Sequence, residues 1–235
     1  MNGIQEHLCR LRGSDIMSIT AKSVCSNLAS FVNLHEDIKN LIQIPSIQQA
    51  ISHDQFGTWI DDILEGSLRL VDLSGFSRDT VCLVKESVQD LESPIRRNRS
   101  ETVTVKDIYS CVASRKKISQ MINKNIKNIK SFNQNLTPLL EKAEDLKAIL
   151  TVLKEMEAIS SSVLKSILIL VSGAKRSLKQ RSWLWPSKLT QTSRVHGEME
   201  QEIDEMTMQD FEEGLESFFR SLVKTRVSLL DAWSH

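Results

Sequence analysis

Glycine, proline and aromatic side chains are scarce in this chain of 235 residues, which contains 8 Gly, 4 Pro and a single Tyr. The sequence also has few alternating runs of β-branched residues, so it offers little material for strands and hairpins. Its 30 basic and 30 acidic side chains cancel, whereas a protein that coats nucleic acid carries a basic excess. These absences exclude a β-rich fold and argue against a nucleic-acid partner.

Clustered cysteines and catalytic motifs are also missing. The four cysteines lie far apart and form no C-x-x-C pair, so we expect free thiols in a cytoplasmic protein: Cys9, Cys25, Cys82 and Cys111. The first residues lack the apolar centre of a secretory signal. No phosphate-binding loop, dinucleotide fingerprint, nucleophile elbow or zinc motif occurs. The sequence therefore predicts no enzyme activity, no cofactor, no metal site and no small-molecule substrate.

Helical periodicity is the dominant signal, and it is clearest between residues 45 and 79. Pro45 ends the helical pattern that precedes it. Ser52 with Gln55 has the form of a capping box that starts a new helix. An apolar stripe follows at steps of three and four residues: Phe56, Ile60, Ile63, Leu64, Leu68 and Val71. The opposite side is charged: Asp61, Asp62, Glu65, Arg69 and Asp72. Helix-surface ion pairs account for these charges better than a metal site does.

The stripe continues beyond Gly75, which we interpret as either a kink or a tight junction between two helices. Pro94 and the polar run 96–101 predict a loop. Residues 15–44 show the same periodicity, with His35 on the apolar stripe. A metal-ligand role for His35 is the alternative, but no second ligand has suitable spacing, so a place at the edge of the core is expected.

Three more helices are predicted downstream, from Val105 to Ile129, from Thr137–Pro138 onwards, and at the C-terminus. The run from Ile159 to Val171 is the most apolar, but it is shorter than the roughly 20 residues of a membrane span. We interpret it as a core helix. The predicted fold is all-α: an antiparallel bundle of four to five long, partly kinked amphipathic helices in one domain, residues 15–235, preceded by an N-terminal segment, residues 1–14.

Two basic segments are candidate interaction surfaces. The outer face of the 105–129 helix carries six cations and no acidic residue between them: Arg115, Lys116, Lys117, Lys124, Lys127 and Lys130. This face is either simply solvated or a surface for anionic partners. The connection at about 174–197 is basic and contains Trp183 and Trp185, so it either folds back on the bundle or anchors on an anionic membrane.

An acidic segment follows the basic connection. Residues 198–216 contain nine acidic side chains and no basic one. They either pair within the fold or form a separate surface. The last helix has its own apolar face, which we expect in the core: Phe211, Leu215, Phe218, Phe219, Leu222, Leu229 and Trp233.

Four blocks of this sequence resemble the plant BYPASS-related family. They are WIDDILEGSLRLVDLSGFSRD (Trp59–Asp79), YSCVASRKK (Tyr109–Lys117), the helix Leu150–Ser172 and EEGLESFFRSLVKTRVSLL (Glu212–Leu230). The last block is the most specific, and the likeness extends over nearly the whole chain from about residue 20. The blocks are helix faces without catalytic meaning.

The resemblance implies a plant protein involved in root and shoot development, with no enzyme activity and no binding residues to carry over. Members often begin with a Ser/Arg/Pro-rich arm, whereas this sequence starts almost directly at EHLCRLRGS. If that arm carries targeting or regulatory signals, we expect this protein to lack them. The predicted function is a non-enzymatic interaction protein with an unknown protein partner. The alternative is a peripheral protein that binds anionic lipid through residues 174–194.

Overall fold

The computed structural model describes residues 2–14, 21–52, 57–97, 105–128, 144–172 and 205–234, and these contain helices and short turns but no strand. The all-α prediction is confirmed. Seven helices are present in these ranges, and five of them exceed 20 residues: α1 (Asn2–Ser14), α2 (Ala21–Ile42), α3 (Pro45–Ile51), α4 (Gly57–Arg97), α5 (Val105–Asn128), α6 (Glu144–Ser172) and α7 (Glu205–Ser234).

Helices α2 and α7 pack side by side and run parallel. Leu28 meets Gly214, the rings of Phe31 and Phe218 lie 5.6 Å apart, and His35 contacts Thr225. Residue numbers rise together along both helices, which makes the pair parallel. The two helices are distant in sequence, so only the tertiary structure brings these apolar faces together.

Helix α4 lies between α6 and α7 and shares the core with both. Its ion pairs with α7 run in opposite directions along the two helices, from Lys85–Glu212 to Arg78–Glu216, so these two are antiparallel. Asp62 pairs with Lys154 at 3.6 Å and Gly66 adjoins Glu157, so α4 and α6 are parallel. The antiparallel arrangement expected from the sequence thus applies to some neighbours and not to others.

Helix α5 packs on the outside of α4 and α6. The thiol of Cys111 lies 3.8 Å from the Ser87 hydroxyl of α4, and Arg115 reaches the carbonyl of Val171 near the end of α6. Since the register of α6 places Val171 near residue 80 of α4, α5 runs antiparallel to α4. Ile118 and Ile122 are the buried residues of this contact.

The boundaries expected at Pro94 and Ser52 are wrong, and of the two alternatives for Gly75 the junction is excluded. Helix α4 is continuous from Gly57 to Arg97, so Gly75 is not a junction and Pro94 does not begin a loop. Ser52 does not start a helix: it ends α3, and its backbone N–H donates to the Gln48 carbonyl at 2.9 Å. Gln55 and Phe56 lie outside the described residues, as do Thr137 and Pro138, the expected start of α6.

The buried face of α4 differs from the expected stripe because it includes small polar residues. Ser74, Ser77 and Thr80 are fully buried, whereas Leu68 is 39% exposed. The hydroxyls of Ser77 and Thr80 donate to carbonyls one turn back, Leu73 and Phe76, both at 2.7 Å. These internal bonds satisfy the hydroxyls, so small side chains can occupy close helix contacts that a count of large apolar residues overlooks.

The remaining apolar faces lie where the periodicity places them. The expected core residues of α2 and most of those of α7 are buried. Residues 152–172 of α6 contain no exposed side chain, in agreement with a helix buried on most sides. Residues 2–14, expected only as a preceding segment, form α1, which adds Ile4, Leu8 and Leu11 to the core. No helix in the described ranges is long and apolar enough to cross a membrane.

Replacing Gly75 by alanine should stabilise the protein. A Cβ at this position would stand 3.7 Å from the Phe219 ring, an ordinary van der Waals distance. Alanine is favoured over glycine inside a helix, so we expect the free energy of unfolding to rise by about 0.5–1 kcal/mol. Urea denaturation followed by circular dichroism measures this change. A loss of stability would show that the helix is interrupted here.

Candidate functional site

Helices α2, α4, α6 and α7 each contribute a polar side chain to one small space, which we call the central cavity. His35 of α2, Ser67 of α4, Glu157 of α6 and Thr225 of α7 line it, together with apolar residues of the core. Its volume is about 20 Å³. This is enough room for about one water molecule.

His35 is held on one side only. It is 1% exposed, its Nδ1 lies 3.1 Å from the Thr225 hydroxyl, and the ring of Phe218 packs against it edge-on. The Thr225 hydroxyl also lies within donating distance of two backbone carbonyls, Ser221 at 3.0 Å and His35 at 3.3 Å. Nε2 has no hydrogen-bond partner. Burial lowers the pKa of His35 to about 3, which keeps the imidazole neutral. Its predicted place in the core is confirmed, in the interior rather than at the edge.

Glu157 is the buried acid of the cavity. It is 7% exposed, and its Oε1 makes no hydrogen bond. Burial raises the pKa of Glu157 to about 7, the nearby charges of Arg69 and Lys154 act in the opposite direction, and Asp62 adds to the increase. The carboxyl group fits because Gly66 of α4 has no side chain. A Cβ on Gly66 would come within 3.0 Å of all three carboxyl atoms.

A buried carboxyl with a shifted pKa beside a histidine is a feature of many catalytic sites. Here the space that both side chains line has a volume of about 20 Å³, which is room for about one water molecule. The arrangement can bind a proton and link helix packing to pH. It provides no place for a reacting molecule.

A larger cavity of about 210 Å³ lies between α1 and α2. Two ionisable side chains, His7 and Arg10, share its lining with short polar residues, and His7 Nδ1 is 3.4 Å from Asp37. The described residues that line it include the hydroxyls of Ser26 and Ser30 but no carboxylate, thiol or lysine. Its chemistry is that of a polar surface groove.

The acidic residues at the start of α7 pair within the fold, with cations of α4. Lys85 Nζ is 2.7 Å from Glu212 Oε2, and Arg78 Nη1 is 3.0 Å from Glu216 Oε2. Hydrogen bonds from these cations, together with Arg220 at Glu216, lower the pKa of both carboxylates. Of the two expectations for the acidic segment, internal pairing therefore applies to Glu212 and Glu216. Among the described residues, their partners are Lys85 and Arg78 of α4 and Arg220 of α7.

The predicted cationic face of α5 is only partly a surface. Lys116, Lys117, Lys124 and Lys127 are exposed, and no acidic residue occurs between positions 109 and 127. Arg115 is different: its Nη2 donates to the Val171 carbonyl at 3.4 Å, and burial lowers its pKa. Arg115 points inward towards the end of α6, where helix carbonyls lack internal donors. We call the four exposed cations the lysine face.

The other predicted interaction residues lie outside the described ranges. These are Lys130, Trp183 and Trp185, with the whole basic connection 174–197. The structure adds exposed apolar groups on α5 that the sequence analysis did not single out. Tyr109 is 71% exposed, and Val112 and Met121 are also exposed.

A family model described as Protein BPS1 matches residues 27–208 and 195–231. The chain belongs to the BPS1 family. This match confirms the resemblance read from the four sequence blocks, and it extends from α2 into α7. No curated protein and no solved structure matches the chain.

In this BPS1-family chain, three buried residues of the site were not expected from the sequence: Glu157, Thr225 and Gly66. One signal was present: Glu157 follows Leu153 by four residues and precedes Leu164 by seven, so it shares an apolar helix face. The matching glycine cannot be identified without knowing that α4 and α6 pack together. Helical periodicity shows which residues share a face of one helix, but it does not show which faces of two helices pack together.

Replacing Gly66 by alanine should destabilise the protein, in contrast to the same change at Gly75. The new Cβ would displace the Glu157 carboxyl, and overpacking of this kind costs about 1–3 kcal/mol. Urea denaturation measures the effect, and Gly75→Ala is the matched control. In a Glu157→Ala background the same change at Gly66 should cost less, because the obstacle is gone. Equal costs in both backgrounds would show that the carboxyl does not lie against Gly66.

Replacing Glu157 by glutamine should change how stability depends on pH. The folded-state pKa of about 7 is above the usual 4.5, so the folded wild type loses stability as pH rises through this range. Glutamine does not titrate. We therefore expect the stability of Glu157→Gln relative to wild type to increase between pH 4.5 and 7, by at most about 3 kcal/mol. His35 has the opposite pH dependence, but it is present in both proteins and cancels in this difference. Urea titrations across pH test this, and a pH-independent difference would contradict it.

Proposed function

We propose that this BPS1-family protein is a non-enzymatic binding protein that uses the lysine face of α5 to contact an acidic surface on another protein. One observation carries the proposal: four exposed lysines stand on a helix that has no acidic side chain between residues 109 and 127. Other cations of the bundle have partners, as Arg78 and Lys85 do on α7. The lysine face has no such neighbour on its own helix.

The exposed apolar groups on α5 support a protein partner. Tyr and Met are enriched in protein interfaces, while isolated lysines are depleted at their centres. Tyr109, Val112 and Met121 could form the apolar part of a contact, with the lysines supplying attraction and orientation around it. Such a contact would be sensitive to salt, because exposed charges are screened over about 10 Å at 0.1 M ionic strength.

The absence of enzyme activity is part of the proposal and is supported by the size of the central cavity. Its perturbed carboxyl is enclosed by the core, and the space beside it suits a single water. The resemblance to the BYPASS-related family supports a role in root and shoot development in a plant. A cytoplasmic location fits the same proposal.

Reversing two lysines tests the proposal. The variant Lys116→Glu with Lys124→Glu is compared with Lys22→Glu with Lys224→Glu, which makes the same charge change at exposed positions of α2 and α7. A protein captured from plant tissue by wild type is purified and titrated with each variant. We expect the α5 variant to weaken binding by about tenfold or more and the control to bind like wild type.

Two outcomes would contradict this proposal. One is a captured partner that binds the α5 variant as tightly as wild type. The other is co-sedimentation of wild type with vesicles of phosphatidylcholine and phosphatidylserine when no protein partner is captured. The second result would favour the peripheral-membrane alternative, in which residues 174–194 bind anionic lipid.

A further inference from the structure

The exposed side of α4 carries acidic side chains along the half of the helix that lies beside α5. Asp72, Asp79, Glu86 and Asp90 are exposed, and Leu83 is exposed among them. Their spacing of seven, four, three and four residues places all five on one narrow strip of an α-helix. We call this strip the acidic ridge.

The acidic ridge and the outer face of α5 have the same length. Each spans 19 residues, from Asp72 to Asp90 and from Tyr109 to Lys127, which is about 27 Å for 18 steps of 1.5 Å. Each also has exposed apolar groups among its charges, Leu83 on the ridge and Tyr109 on α5. The two strips are therefore complementary in charge and matched in extent.

Helices α4 and α5 are antiparallel neighbours, so the two strips lie next to each other on one side of the bundle. The contact between Ser87 and Cys111 sets their relative level. At that register Asp72 is level with Lys124 and Lys127, and Asp79 is level with Lys116 and Lys117. Glu86 and Asp90 lie beyond the last lysine, level with residues 112 and 108, and Asp79 also pairs with Arg78 of its own helix at 3.2 Å.

We infer that a second copy of this chain is the partner of the lysine face, and that the two copies form a symmetric dimer through the acidic ridge and the lysine face. This inference rests on the proposed function and names the acidic surface involved. A two-fold axis running along the seam between α4 and α5 lays the ridge of each copy on the lysine face of the other. Because the axis is parallel to the helices, the rotation leaves the height of each residue along the bundle unchanged, so Asp72 and Asp79 stay level with the lysines.

The symmetry gives the contact two identical halves, and in each half Asp72 and Asp79 face the four lysines. The chain has no net charge, so two copies approach without long-range repulsion. Exposed charge pairs are screened by salt, so the dimer should be favoured at low ionic strength. The apolar groups in each strip would be covered at the same time.

Charge reversal tests the dimer in a way that separates it from other effects. One chain carries Lys116→Glu, Lys117→Glu, Lys124→Glu and Lys127→Glu. A second carries Asp72→Lys, Asp79→Lys, Glu86→Lys and Asp90→Lys. Circular dichroism checks that both are folded, and sedimentation velocity gives the mass of each full-length protein, alone and mixed, at low and high salt.

Wild type should sediment at low salt with twice the monomer mass of 26.7 kDa and shift towards the monomer at high salt. Each reversed chain alone should be monomeric, because both halves of its contact are repulsive. An equimolar mixture should form a heterodimer, since both halves are then complementary. A chain carrying all eight substitutions should dimerise again.

A wild type that is monomeric at low salt would overturn the inference, as would a dimer that persists in either reversed chain or a mixture that stays monomeric. These outcomes are distinguishable from failure of the proposed function. A monomeric wild type whose purified plant partner is lost with Lys116→Glu and Lys124→Glu would leave the lysine face as a binding surface and remove only the second copy as its partner.

Discussion

The contact between the Glu157 carboxyl and Gly66 is the constraint on which the core depends. It brings α6 against α4 at a position where α4 has no side chain, and it fixes the register of two parallel helices. A carboxyl group buried without a full set of hydrogen bonds is costly, so the surrounding packing must hold it there. On the other side of α4, the ion pairs and Phe219 fix α7. The 41-residue α4 thus positions both neighbours.

The polar interior and the charged exterior have different consequences. His35 and Glu157 face a water-sized cavity, with pKa values displaced in opposite directions by the same cause, burial. Their titration can alter the stability of the fold. On the exterior, the sign of the exposed charge differs between helices: α4 exposes mainly acidic side chains, and α5 exposes lysines. The binding that we propose would use this surface charge, while the buried polar groups act on the fold.

Much of the fold could be predicted from the sequence because helical periodicity is local. The faces of α2, α6 and α7 follow from their apolar spacing. The limits of α4 could not be predicted in this way. Gly75 and Pro94 suggest interruptions from sequence alone, whereas tertiary packing keeps the helix continuous. Arg115 was assigned to the outer face for a similar reason. Its exposure depends on where α6 ends, and spacing along one helix does not contain that information.

The pKa of Glu157 is the most direct test of this account, because only the close packing of α6 on α4 displaces it. Carbon-13 NMR of the side-chain carboxyl across pH measures it in the intact protein. We predict a midpoint of about 7 in the folded protein, with loss of the shift when the protein is unfolded. A midpoint near the ordinary value of 4.5 in the folded protein would place Glu157 in solvent and contradict the packing described for the core.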